Sequence, residues 1–474
     1  MTTCHRRGAG ASSFVAIMAA LAILVGVAGC GARWSGDQKA QLAAIERGSG
    51  GLGTGGGSTA DGQDPATVGA IGTASDTGNG AGPGGGSGPA TGAVSTPGQQ
   101  PTATGSKPCA APSNAPGMTD EQITLATINS ISGPSPGLGA SSLAAARAYV
   151  AYRNSIGGVC GRQVVLKDGD DGVDNARYRA LLTDLETKTL ALVSGNACGS
   201  DGGADIVEAK KYPVVGLACG TKLPSVSTFY SMSPRDIENQ PIPYYRHLAA
   251  QGVKKAAVVY VSAAPAVVEG RQKIGLLRAS GIPVVLDLPI PLTTLSYDST
   301  ARAVANSGAD YLVFVHASAP SAAMAKAMAD TGHELKFSEY LIAYGSNFIE
   351  LAGNAADGAL TWITWLPRED GGSLPEQKLF LQWMQRTSPN AFQDTFANNM
   401  WAAAKLLLDS LESLPGPISR GALLASLSAN HRYDAAGLIA HIDVGAHHDS
   451  GCKIGMVARE GKWQRLTPSQ GFLC

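Results

Sequence analysis

The sequence predicts an α/β protein built from two doubly wound, parallel-sheet lobes. Three observations lead there. From Gln122 onward, short strand signals alternate with helix signals. The strands are unbroken runs rich in Val, Ile and Leu, as expected of parallel strands buried on both faces. The alternation also occurs twice in succession, with a linker through Pro234 between the two series, which fits two consecutive βα layers.

Taken in order, Gln122 to Asn129 reads as the first strand, followed by a Ser/Gly/Pro loop and a helix from about Ser142 to Asn154. Gly157-Gly158 stops that helix. Gln163 to Lys167 is the next strand, and Asp174 caps a helix running to about Lys188. Leu190 to Val193 and Pro213 to Leu217 are strands flanking a helix from Ala204 to Lys211. The second series pairs helices Ile242–Gln251, Val267–Ser280, Ser299–Ser307 and Pro320–Thr331 with the strands that follow them. Those strands are Ala256–Val261, Pro283–Leu288, Tyr311–Val315 and Glu339–Tyr344. Helices Pro375–Arg386 and Thr395–Leu411, with strands near Leu438–Val444 and Lys453–Arg459, complete both lobes.

The chain upstream of the folded region reads differently. Arg6 and Arg7 precede Phe14 to Val27, an apolar run without a charge. That run is shorter than the roughly 20 residues a helix needs to cross a bilayer. A basic opening, a short apolar core and small residues after it describe an export signal. The segment Val27-Ala28-Gly29-Cys30 resembles the lipobox of bacterial lipoproteins, which implies cleavage after residue 29 and lipidation of Cys30. Residues 30–47 then form the lipidated N-terminus with a short helix around Gln38 to Arg47. From 48 to 108 the chain is almost entirely small, polar or Pro residues, which bury too little apolar surface to offset the entropy of ordering. It is expected to be a flexible tether spanning about 40 Å, and residues 109–474 the folded domain.

The formal net charge is -1 and no basic stripe stands out, which argues against nucleic acid as a partner. Gly51-Leu52-Gly53-Thr54-Gly55-Gly56 satisfies a dinucleotide fingerprint, but it follows no strand and lies in the tether. No nucleophile-elbow context occurs, so no enzyme activity and no cofactor are expected. His441, Asp443, His447, His448 and Asp449 are read as a polar hairpin turn between late strands, not as a metal site. Trp362 and Trp365 are assigned to packing where the chain crosses between lobes. Among the 8 cysteines, Cys4 leaves with the signal and Cys30 carries lipid. The others suggest three disulfides in an exported domain. Proximity along the chain favours Cys109–Cys160, Cys198–Cys219 and Cys452–Cys474, the middle pair joining adjacent strand ends.

Several segments together resemble a known family. They are Ile123 to Pro134 (ITLATINSISGP), Ala144 to Gly161 ending in NSIGGVCGR, and Val164 to Asp174 (VVLKDGDDGVD). Val193-Ser194-Gly195 with Lys211 to Val215, Phe229 to Pro234, Leu351 to Leu360 and Tyr433 to Ile439 follow in order. The chain is similar, over about Thr119 to Leu466, to type I periplasmic substrate-binding proteins of the branched-chain amino acid class of ABC transporters. The resemblance implies two lobes joined by three crossings, with a small-molecule ligand in the cleft and an ABC permease as partner. By that analogy one lobe comprises about 120–236 and 362–430, and the other about 237–361 and 431–474.

The family's ligand contacts carry over unevenly. Its Ser-Ser after the third strand falls on Cys198 and Gly199, with Ser200 next. Its Ala-Thr after the fourth falls on Cys219-Gly220 or Gly220-Thr221. The aromatic of its first loop is Leu138 here, the second-lobe Tyr is replaced within Ala263-Ala264-Pro265, and the acid that would pair with an ammonium falls near Tyr344-Gly345. An unpaired buried ammonium is costly, so a free branched-chain amino acid is poorly served. Asn196, Gly199, Ser200, Gly220 and Thr221 in one lobe, with Tyr344 and Ser346 in the other, are the expected ligand-binding residues. They suit an uncharged polar or weakly anionic solute. The overall expectation is a lipid-anchored solute-binding protein on the outer face of a cell membrane. A sensing receptor or envelope scaffold on the same fold, or a sealed lipoprotein without ligand, are the alternatives.

Overall fold

The computed structural model describes residues 115–134, 136–234 and 240–474. The export signal, Cys30, the tether and Cys109 lie outside the described residues.

The first sheet consists of β1 (Gln122–Asn129), β2 (Gln163–Asp170), β3 (Leu192–Ser194), β4 (Val214–Gly216) and β5 (Phe229–Ser231). They lie in the order β2-β1-β3-β4-β5, and every pair is parallel. β1 is buried from Ile123 to Asn129 because both of its faces are covered. Ile123 and Leu125 join the cluster built by α1 (Ala140–Ser155), whereas Ala126 and Ile128 join the one built by α2 (Asn175–Glu186) and α3 (Ala204–Lys210). Gly158 follows α1 where a Cβ would stand 1.9 Å from the Arg162 carbonyl oxygen, so only glycine lets the chain turn there. Asp174 caps α2 as expected, its side chain accepting from the Arg177 N–H.

The second sheet consists of β6 (Ala256–Val261), β7 (Val284–Ile290), β8 (Tyr311–Val315), β9 (Phe337–Tyr340), β10 (Ala359–Ile363), β13 (Ile454–Arg459) and β14 (Lys462–Thr467). Its order is β14-β13-β10-β9-β8-β6-β7, parallel from β6 to β10 and antiparallel at β13 and β14. Helices α4 (Pro243–Ala250), α5 (Ala264–Ala279), α6 (Asp298–Asn306), α7 (Ser318–Asp330) and the short α8 (Phe348–Ala352) accompany it. β7 continues through Pro289, beyond the predicted end at Leu288, because an edge strand has one side without a ladder and tolerates the missing N–H.

After β10 the chain returns to the first lobe with α9 (Pro375–Thr387), α10 (Thr395–Glu412) and α11 (Arg420–Ser428), then crosses a third time to β13. α10 lies against α1, where the alanines Ala144, Ala145 and Ala148 of one helix and Ala402, Ala403 and Ala404 of the other are buried. Trp401 is fully buried, edge-on to Tyr149, and its indole N–H donates to Glu376 at 2.7 Å. Arg153 closes the pair by donating to Asp409 at 2.6 Å and to Glu412. The first lobe therefore draws its helical layer from two distant stretches of chain.

In the second lobe, Lys273 of α5 is buried and donates to Glu339 at 2.8 Å; Tyr245 and Tyr311 donate to the other carboxylate oxygen. The expected strand over Leu438–Val444 is shorter: β11 (Ile442–Asp443) and β12 (His448–Asp449) form a small hairpin. That hairpin holds the His/Asp group, and among the described residues no cluster of His, Cys, Asp and Glu could hold a metal ion. Trp362 and Trp365 are buried, as packing residues would be. Among the described residues no helix is long and apolar enough to cross a membrane.

Candidate functional site

Parallel strands bring the loops at their carboxyl ends together on one edge of each sheet, and such edges are where doubly wound folds take ligands. In the first lobe these are the loops after β1, β2, β3 and β4, and side chains of the chain itself hold them in place. Asp171 is fully buried at their centre. It accepts from the Ser130 hydroxyl at 2.7 Å, the Gly199 N–H at 2.7 Å and the Val173 N–H at 3.0 Å. Ser130 in turn accepts from the Cys198 N–H at 2.9 Å. Asp170 receives the N–H groups of Ile131, Ser132 and Gly172, the Ser132 hydroxyl and, at 3.0 Å, Arg177. Burial alone would raise its pKa, but these donors outweigh it and take the carboxyl down to about 2.

The loops after β3 and β4 are joined covalently by the Cys198–Cys219 disulfide, as expected. They are joined again by Asp201, which accepts from the N–H groups of Thr221 at 3.0 Å, Lys222 at 2.7 Å and Leu223 at 3.3 Å, and from the Thr221 hydroxyl. Burial opposes ionisation of Asp201, yet these donors prevail and lower its pKa. Five of the expected ligand-facing residues gather here. The Asn196 side chain donates to the Leu138 carbonyl at 3.3 Å, and the Ser200 hydroxyl accepts from Gly220 N–H at 3.4 Å. Gly199 and Gly220 leave no room for a side chain: a Cβ would stand 2.4 Å from the Asp174 carbonyl oxygen and 2.1 Å from Asp201, respectively.

The facing loop of the second lobe, after β9, carries the other two. Ser346 shares a hydrogen bond with Ser318 at 2.8 Å and donates to the Ala343 carbonyl at 2.6 Å. It also borders a cavity of about 240 Å³ with Ile349, Arg368, Glu369, Lys462 and Trp463. Tyr344 is buried near the rings of Trp365 and Trp463, and its hydroxyl donates to Glu369 and accepts from Arg368 N–H at 2.8 Å. Burial, reinforced by Glu369, holds that hydroxyl well above the usual phenol range. Thus Ser346 and Tyr344 share one loop, but the tyrosine hydroxyl is committed to Glu369 and Arg368 in the segment that follows β10.

Between Tyr344 and Ser346 the lobes meet. Gly345 has φ +76°, and a Cβ on it would lie 2.6 Å from the Gln393 carbonyl oxygen and 2.8 Å from the Asp394 Cα, so this approach requires glycine. Asp394 caps α10 through the N–H groups of Phe396 and Ala397 and accepts from the Ser141 hydroxyl at 3.0 Å. Burial outweighs these donors and raises its pKa to about 6. Sequence reasoning missed Asp170, Asp171, Asp201 and Asp394 as site residues. For the first three the available signal was their place at carboxyl ends of predicted parallel strands.

Three solved structures share the fold. A fatty acid ABC transporter substrate-binding protein from Thermomonospora curvata is 18% identical, with 76% of this chain and 94% of that one covered and a TM-score of 0.61. A branched-chain amino acid transporter substrate-binding protein from Streptococcus pneumoniae, in complex with isoleucine, is 15% identical over 73% of this chain and 100% of that one, TM-score 0.61. An ABC transporter solute-binding protein from R. palustris, in complex with 4-hydroxybenzoate, is 18% identical over 73% and 96%, TM-score 0.60. A search of curated protein sequences finds no match. The family model described as periplasmic binding protein matches residues 122–457, and with that the chain belongs to the periplasmic binding protein family.

Proposed function

We propose that this protein is a lipid-anchored, extracytoplasmic solute-binding protein that captures a small molecule between its lobes and presents it to an ABC-type importer. The observation that carries the reading is the seam at Gly345, where the carboxyl-end loop of the second lobe meets the first lobe at Gln393 and Asp394. A solute touching both lobes stabilises the arrangement in which they are closed, and a permease can read that state. The residues on hand capture rather than convert: Asn196, Ser200, Thr221 and Ser346 offer neutral hydrogen bonding. The anchor rests on the lipobox at Cys30, and the tether over 48–108 gives the domain reach from the membrane.

Mass spectrometry of small molecules released from natively purified protein tests solute binding. One compound recovered at near-stoichiometric amount, and lost from a Gly345→Val variant that blocks closure, is the expected result. Recovery of nothing, from protein that also shows no thermal shift with a metabolite library, would reject it. For the anchor, Cys30→Ala is expected to release the protein from detergent-extracted membranes and to remove the acyl mass.

A further inference from the structure

The edge of the first lobe where an anion would be expected is already occupied by the protein's own carboxylates. At the ends of parallel strands, exposed backbone N–H groups are the natural partners of a ligand anion. Here the Gly199 N–H is bonded to Asp171, and those of Thr221, Lys222 and Leu223 to Asp201. The N–H groups of Cys198 and Gly220 are bonded to the hydroxyls of Ser130 and Ser200. The protein has, in effect, filled its anion positions from within.

Charge points the same way. Asp170, Asp171, Asp201 and Asp394 all belong to this lobe's strand-end loops or to the seam, and the cation bonded to them is Arg177, which is held by Asp170 at 3.0 Å. An incoming carboxylate would meet like charges instead of donors, a pairing that disfavours ionisation of one partner.

We infer that the solute taken by this cleft carries no carboxylate: it is neutral or cationic. The inference rests on the solute-binding reading above and narrows it. It also separates this protein from the three structural neighbours, whose named ligands (a fatty acid, isoleucine and 4-hydroxybenzoate) each carry a carboxyl group.

The test is calorimetric titration of the full chain with isoleucine, 4-hydroxybenzoate and decanoate, repeated on Asp201→Ala. The wild type is expected to bind none of the three more tightly than about millimolar. Asp201→Ala removes one charge and releases three N–H donors, so binding of at least one carboxylate probe should tighten tenfold or more. Micromolar binding of any probe by the wild type overturns the inference, as does a folded Asp201→Ala protein with no gain. The wild-type titration decides even where the variant fails to fold. Carboxylate capture by the wild type would sink this inference while upholding solute binding; failure of solute binding itself shows instead as no compound released and no library-induced thermal shift.

Discussion

The strand-end loops of the two lobes are built on different principles. Those of the first lobe are fastened to one another by a disulfide, by buried or half-buried carboxylates and by charge-assisted bonds to backbone N–H groups. In the second lobe, the loop after β9 is held by side-chain hydroxyls, Ser346 to Ser318 and Ala343 and Tyr344 to Glu369, while the buried ion pair of Lys273 and Glu339 sits deeper. The first rim is therefore fixed covalently as well as by hydrogen bonds, and the loop after β9 by hydrogen bonds.

The largest effect is expected where the second lobe keeps its charge. Glu339→Ala leaves the Lys273 ammonium buried without its partner and should cost about 3–5 kcal/mol in denaturant unfolding. Loss of less than about 1 kcal/mol would show that water reaches the pair. Next comes the first rim. Replacing Cys198 and Cys219 by serine opens a bridge spanning 21 residues and should lower stability by about 3 kcal/mol in the chain-entropy account.

A pH test isolates the seam. Asp394 has its pKa raised from 3.8 to about 6, so the folded protein holds that proton more tightly than the unfolded chain does. Its contribution is then most favourable below about pH 4, declines as pH rises through 4 to 6, and remains a penalty of up to about 3 kcal/mol at neutral pH. Asp394→Asn keeps a capping oxygen but cannot ionise. Thermal unfolding across pH should show the variant more stable than the wild type at pH 7, with the decline between pH 4 and 6 flattened. The smallest difference compares two serines. Ser130→Ala deprives buried Asp171 of a donor and should cost about 1.5–3 kcal/mol, whereas Ser346→Ala removes neutral bonds worth about 1 kcal/mol. Equal costs would erase the contrast between the rims.

Much of this architecture is legible in the sequence because parallel strands buried on both faces favour apolar runs, as in β6 and β8. β14 escaped because Lys462, Gln464 and Arg465 break its apolar character, which an edge strand allows. α11, with Gly421 in its first turn, and β5, at Phe229–Ser231 within the stretch read as a linker, did not stand out. The loops carrying Asn196, Ser200 and Thr221 could be placed from strand order alone. Their hydrogen-bond partners could not, since Asp171 reaches Gly199 and Asp201 reaches Thr221 across stretches of chain that only the fold brings together.

The return of the chain to its first lobe has a kinetic consequence. Arg153 in α1 meets Asp409 in α10 across 256 positions, and β10 pairs with β13 across the intervening helices of the other lobe. Neither lobe can finish from contiguous sequence, so each supplies the template on which the other is completed. Contacts this distant along the chain slow the search for the native state. They also tie the lobes into one cooperative unit: melting is expected to proceed in a single transition, with no half-molecule that persists once its neighbour has come apart.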